Sequence, residues 1–205
     1  MPDDESHKAE MAALKAEQRR KITEARDPGR GLVLVHTGDG KGKSSSAFGV
    51  IIRALGWGHS VGVVQFIKGD WPTGEKQFFD KLVSAEGGGN ITWRTMGEGF
   101  TWDTQNLARD TRTAEAALAA AAGMLASGAH DLVVLDEINI ALQFGFLTVP
   151  AVLAALEGRA QRTSVILTGR NAKPEIMDMA DLVTEMREVK HPFQAGIKAQ
   201  RGIDF

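Results

Sequence analysis

Eleven residues, HTGDGKGKSSS from His36 to Ser46, set three glycines, two lysines and a run of serines directly behind the apolar stretch GLVLV. The combination suits phosphate. Gly38, Gly40 and Gly42 give the backbone unusual dihedrals and allow close approach to a ligand. Successive N–H groups in such a loop converge on phosphate oxygens, and a helix beginning at its end adds a positive N-terminus. The P-loop pattern is Gly, four residues, Gly-Lys and then Ser or Thr. Gly42, Lys43 and Ser44 match its end, whereas Thr37 stands where the leading glycine is expected. Lys43 is suited to pair with phosphate charge, and the Ser44 hydroxyl to ligate magnesium, which prefers oxygen. The nucleotide-binding set expected here is Thr37, Gly38, Asp39, Gly40, Lys41, Gly42, Lys43, Ser44 and Ser45.

A second signal is LVVLDEIN, which puts Asp136 and Glu137 at the tip of an apolar strand. That is where P-loop proteins keep a magnesium-binding acid, so Ser44, Asp136 and Glu137 form the expected metal set. On motif logic alone the Asp-Glu pair suggests ATP hydrolysis, and a P-loop ATPase or small-molecule kinase is one reading. In GEGFTW, Phe100 and Trp102 lie two apart, so an extended chain turns both rings to one side. Core packing and a ligand-facing pair both fit that spacing. Arg170 follows the run VILTG and stands at another strand tip; the loop IKGDWPTGE brings Lys68, Trp71 and Glu75. His36 reads as a strand-end packing residue. The C-terminal KHPFQAGIKAQRGIDF, with Lys190, His191, Lys198 and Gln200, reads as a segment that orders over ligand.

These residues need a scaffold, and the apolar runs provide one. Gly31–His36, Val61–Ile67, Ile91–Thr95, Leu132–Asp136, Ser164–Thr168 and Leu182–Met186 are short, β-branched and continuous rather than alternating, as in strands covered on both faces. Helical patterns separate several of them: Ser44–Leu55, Thr104–Ala126 behind a cap at Asp103, Val149–Glu157 and Pro174–Met179. The alternation predicts an α/β fold, a P-loop NTPase-like (RecA-like) domain with a mostly parallel sheet flanked by helices over residues 31–205. Residues 1–30 read as an N-terminal helical extension with a thin stripe of Met11, Leu14, Ile22 and Ala25, closed by the turn residues DPGR.

The 205 residues suffice for one well-buried core. The absence of cysteine excludes disulfides, thiolate catalysis and cysteine-based zinc sites. A net charge of −2 argues against a broad nucleic-acid or membrane footprint, which disfavours a non-catalytic, nucleotide-gated nucleic-acid binder. With no apolar leader and no apolar run of about 18 residues, the chain reads as cytoplasmic.

Beyond the P-loop, the wording TGDGKGKSS, VQFIKGDWPTGE, GEGFTWDTQN, VVLDEIN, VILTGRNA and ADLVTEMREVKHPFQAGIKAQRGIDF resembles the P-loop type of ATP:corrinoid adenosyltransferases, in family order from about Gly31 to Phe205. The resemblance implies transfer of the 5′-deoxyadenosyl group of ATP to the cobalt(I) of a corrinoid, in the making or salvage of adenosylcobalamin. It implies a loop gripping the triphosphate in a reversed sense, and Phe100 and Trp102 packed on the corrinoid to displace its lower axial ligand. It further implies an external flavoprotein reductase and a homodimer whose N-terminal helix reaches over the partner's site. Arg170 is then expected beside nucleotide or corrinoid.

Overall fold

The computed structural model describes residues 4–67, 69, 72–84, 90–97 and 106–204. Six strands, β1 (Val33–Thr37), β2 (Val61–Gln65), β3 (Ile91–Thr95), β4 (Leu132–Asp136), β5 (Ser164–Thr168) and β6 (Leu182–Glu185), form one sheet in the order β3-β2-β4-β5-β1-β6. Every pairing is parallel. The expected α/β architecture is therefore present.

Two cores sandwich the sheet because successive strand residues point to opposite faces. On one face Val61, Val63, Leu132, Val134 and Ile166 pack under α2 (Lys43–Gly56) and α3 (Gly74–Ser84) through Ala47, Phe48, Ile51 and Phe79. Phe48 and Phe79 each sit 5.4 Å, ring to ring, from Trp93 of β3, a spacing at which aromatic pairs attract beyond their area burial. On the other face Val33, Val35, Val133, Leu135, Val165 and Leu167 pack under α4 (Leu107–Ala126), α5 (Ile138–Gln143), α6 (Val149–Glu157) and α7 (Pro174–Met179). α4 shows the sheet its small side, Ala114, Ala117 and Ala121, which lets helix and strand approach closely.

Several boundaries depart from the sequence reading. α4 starts at Leu107, where the Asn106 side chain accepts from the Arg109 N–H and caps the helix; Asp103 lies outside the described residues. β2 ends at Gln65, two residues before the apolar run does. The strand rule holds for the centre of the sheet alone. β3 alternates half-buried and exposed, and β6 is exposed throughout, because among the described residues each pairs with a single strand. α3 and α5 were not expected. The N-terminal helix α1 (Asp4–Glu24) forms, yet buries none of its residues.

One ion pair fixes the entry to the strand that carries the loop. Arg30 donates two hydrogen bonds to Asp181, at 2.7 and 2.6 Å, and Asp181 also accepts from the Val33 N–H at 2.9 Å. The Arg30 guanidinium and then the Val33 amide hold the Asp181 carboxyl down at about 2. A depressed carboxylate stabilises the fold at pH above its unfolded value of about 3.9 and loses that contribution as pH falls through its folded value. The stability gap between wild type and Asp181→Asn, read by urea unfolding, is expected to be widest at neutral pH and to close between pH ~4 and pH ~2. A gap unchanged across that range would contradict the pairing.

Candidate functional site

The site grows out of one register row. Thr95 pairs with Gln65, Gln65 with Asp136, and His36 with Thr168, while Leu135 pairs with Leu167, so Asp136 and Thr168 are level. Below this row the α2-facing side of β2 and β4 is apolar, through Val61, Val63, Leu132 and Val134; at the row it turns polar. Asp136 and Thr168 are fully buried and Gln65 is 4 % exposed, so each polar group needs a partner. The Thr168 hydroxyl donates to Asp136 Oδ1 at 2.8 Å and accepts from the Glu137 N–H at 2.9 Å. Gln65 Nε2 donates to Asp136 Oδ2 at 2.9 Å, and its Oε1 accepts from Trp93 Nε1 and Thr95 Oγ1 at 3.0 and 3.1 Å.

Ser44, in the first turn of α2, donates to Asp136 Oδ1 at 2.7 Å. The loop between β1 and α2 therefore closes directly onto the tip of β4, two strands away. Thr37, in the leading-glycine position, ends β1 in ordinary strand geometry, and its Oγ1 accepts from the Ala172 N–H at 3.1 Å. The first glycine is thus not needed here. The next two are. Gly38, at φ 92°, would place a Cβ 2.5 Å from the Met186 carbonyl oxygen; at Gly40 a Cβ would meet Arg187 backbone at 2.8 Å. Gly40 N–H donates to Met186 O at 2.6 Å. The loop rides on the chain leaving β6, and only glycine permits that contact. Gly42 caps α2 in the left-handed region at φ 108°.

Lys43 folds its Nζ back across the loop, donating to Gly38 O at 2.8 Å and Gly40 O at 2.6 Å. Burial, and then the Arg170 guanidinium, push its ammonium below the usual lysine range, against Asp39 and Glu137, which favour its charge. Arg170 is exposed at the end of β5 and close enough to act on Lys43. Asp39 is exposed on the loop and Ser45 in the first turn of α2. Lys41 pairs with Asp204, drawing the C-terminal segment over the loop. Glu137 follows Asp136 in the left-handed region at φ 64° and opens α5. His36 is buried, faces the Lys43 carbonyl at 3.4 Å, and burial lowers its ring below the usual value; this is packing, as read from the sequence.

The structure thus brings together Thr37 to Ser45, Asp136, Glu137 and Arg170. Phe100 and Trp102 lie outside the described residues, as do Lys68 and Trp71; Glu75 opens α3. Sequence reasoning missed Gln65, Thr168, Trp93 and Thr95. The available signal was a glutamine within one apolar run and a threonine closing another, each at the same distance from the strand start as Asp136.

The profile of the family described as "ATP:corrinoid adenosyltransferase BtuR/CobO/CobP" matches residues 29–205. The chain belongs to the ATP:corrinoid adenosyltransferase family. It is 52% identical to a corrinoid adenosyltransferase of Pseudomonas aeruginosa across 98% of this chain and 97% of that one. A corrinoid adenosyltransferase of Sinorhizobium is 46% identical over 99% and 93% of the two chains, and one of Escherichia coli K12 is 42% identical over 98% and 99%. Among this family member's described residues, no cluster of three or more His, Cys, Asp or Glu is placed to hold a metal, and no helix is long and apolar enough to cross a membrane.

Proposed function

We propose that this chain transfers the 5′-deoxyadenosyl group of ATP to the cobalt(I) of a corrinoid and releases the triphosphate whole. The observation that carries the reading is 52% identity, end to end, to a corrinoid adenosyltransferase. The cobalt(I) electron pair forms a bond to the ribose 5′-carbon; the bond from that carbon to its oxygen breaks, and the pair leaves on the triphosphate. The nucleophile arrives ready-made, so no side chain has to remove a proton from it, and Glu137 need not serve as a base. What the protein must do is align carbon with metal and stabilise the departing charge.

The loop amides and Lys43 grip the triphosphate, with Arg170 beside Lys43 adding positive charge. The donor set beneath them, one serine hydroxyl and one carboxylate 2.7 Å apart without nitrogen or sulfur, fits magnesium. Ser44 and Asp136 would hold it directly, with Glu137 at its margin. When bound, magnesium neutralises charge on the leaving triphosphate. Lys43 turns from the Gly38 and Gly40 carbonyls to the phosphates as nucleotide enters.

On the corrinoid side, Phe100 and Trp102 press on the ring and exclude a lower axial ligand, which makes cobalt(II) easier for an external flavoprotein to reduce. The homodimer reading is supported by α1, whose Met11, Leu14 and Ile22 remain exposed in the single chain. The enzyme works in the cytoplasm on this reading.

A P-loop ATPase or kinase would leave a different residue of the nucleotide. With ATP, magnesium and chemically reduced cobalamin, phosphorus NMR is expected to show triphosphate in step with the optical signature of a new cobalt–carbon bond. ADP with orthophosphate, and no such optical change, would overturn the assignment.

A further inference from the structure

We propose that Gln65 is a positioning residue for Asp136, holding the carboxylate in the pose from which it and Ser44 bind the nucleotide's divalent metal. The inference rests on the proposed role of Asp136 and Ser44, and it adds a residue that sits three strands from the P-loop strand.

The direction of the Gln65 amide is set by its neighbours on β3. An indole N–H can only donate. Trp93 Nε1 lies 3.0 Å from one terminal atom of Gln65, so that atom is the carbonyl oxygen; Thr95 Oγ1, 3.1 Å away, donates to the same oxygen. The NH₂ group must then point the other way, and it meets Asp136 Oδ2 at 2.9 Å. The orientation of Gln65 is therefore dictated from β3, and Gln65 dictates that of Asp136. With Oδ2 held, Oδ1 faces Ser44 and Thr168. A carboxylate at a strand end otherwise turns about its last bond, since that torsion is broad. Trp93 is itself clamped between Phe48 of α2 and Phe79 of α3. The chain of contacts thus runs from the helix core through Trp93 and Gln65 to the acid.

Burial makes the arrangement specific. Gln65 is 4 % exposed and Asp136 0 %, so water does not substitute for a missing partner, and an amide buried merely for packing would cost stability without return. Partners of metal ligands commonly set metal affinity by 10–100-fold.

The test uses full-length enzyme and no corrinoid. ATP binding is measured by calorimetry with magnesium and with EDTA, and Mn²⁺ binding to the enzyme–ATP complex by electron paramagnetic resonance. Gln65→Met removes the donor while keeping bulk, and Gln65→Leu removes it with a branched side chain; neither adds a charge beside Asp136. Both are expected to weaken Mn²⁺ binding ~10–100-fold and to leave metal-free ATP binding within about twofold. In an Asp136→Ala background, Gln65→Met is expected to add nothing further to the metal response, because the two act as one unit. Wild-type Mn²⁺ affinity in either folded variant would overturn the inference. So would equal losses with and without metal, the mark of a merely structural role, or additive losses in the double variant. Should Gln65→Met fail to fold, Gln65→Leu carries the test. Because the readout contains no corrinoid, a wrong assignment of the reaction would show in the product analysis and leave this result standing.

Discussion

Replacing Lys43 by alanine is expected to weaken ATP binding and to slow turnover together, with kcat/KM for ATP falling on the order of 10³-fold or more. Hydrogen bonds to a charged group contribute about 1.5–3 kcal/mol, or roughly one to two decades of affinity. Removing a preorganised stabiliser of developing charge costs a further ~10²–10³ in kcat. The lysine is well placed for both. Its Nζ already bridges the carbonyls of Gly38 and Gly40, on the inner side of the loop, and its partial burial makes a phosphate a better partner than water. Arginine should not restore function, because a planar five-donor fork does not fit a pocket shaped around a compact ammonium. Since Lys43 contributes little apolar burial, the ligand-free melting temperature should move by less than ~4 °C, the equivalent of about 1 kcal/mol at this size. Steady-state kinetics with saturating reduced corrinoid checks the prediction; unchanged kcat/KM would mean that the loop does not hold the triphosphate.

Asp136→Asn is expected to be the second large loss, and to strike stability as well. The asparagine retains one oxygen, which can still accept from Ser44 and Thr168. Its NH₂ then confronts the NH₂ of Gln65. If Gln65 turns over to relieve that, its own NH₂ faces the Trp93 N–H. If instead the asparagine turns its oxygen to Gln65, its NH₂ meets the Ser44 and Thr168 hydroxyls, whose own protons lose their acceptor; every pose leaves a buried donor unmatched, at a cost of about 1–3 kcal/mol. For a chain of this size that lowers the melting temperature by roughly 2–10 °C. Loss of the metal-binding charge removes several kcal/mol of stabilisation on the leaving group, so kcat should fall on the order of 10²–10³-fold. Calorimetric melting together with turnover at saturating magnesium tests both parts. A variant as stable and as active as wild type would remove Asp136 from the site.

What the sequence made legible follows from how local each signal is. The P-loop is eleven consecutive residues whose glycines, lysines and serines act within one turn of chain, and its place at the end of β1 could be read directly. The runs LVVLD and SVILT announced central strands because burial on both faces leaves only apolar side chains. The edge strands β3 and β6 were harder to characterise; ITWRT and LVTE mix exposed and covered positions, and which edge a strand occupies is a property of the sheet. The Gln65–Asp136–Thr168 row was invisible for a stronger reason. Its members lie 71 and 32 residues apart, and only the register of β2, β4 and β5 makes them neighbours. Thr37 shows the reverse case, a departure from the motif that was visible in the sequence while its local reason was not. The structure explains it: the hydroxyl ties the end of β1 to Ala172, and the close approach falls to Gly38 and Gly40 instead.

Adenosyl transfer and phosphoryl chemistry differ in which bond of ATP breaks. ATP carrying oxygen-18 at the bridge between the ribose 5′-carbon and the α-phosphorus, turned over once with cobalt(I) corrinoid under anaerobic conditions, reports it directly by mass spectrometry. Adenosyl transfer predicts that all of the label leaves in triphosphate and that no ADP forms; label retained in ADP, with unlabelled orthophosphate beside it, would contradict the account.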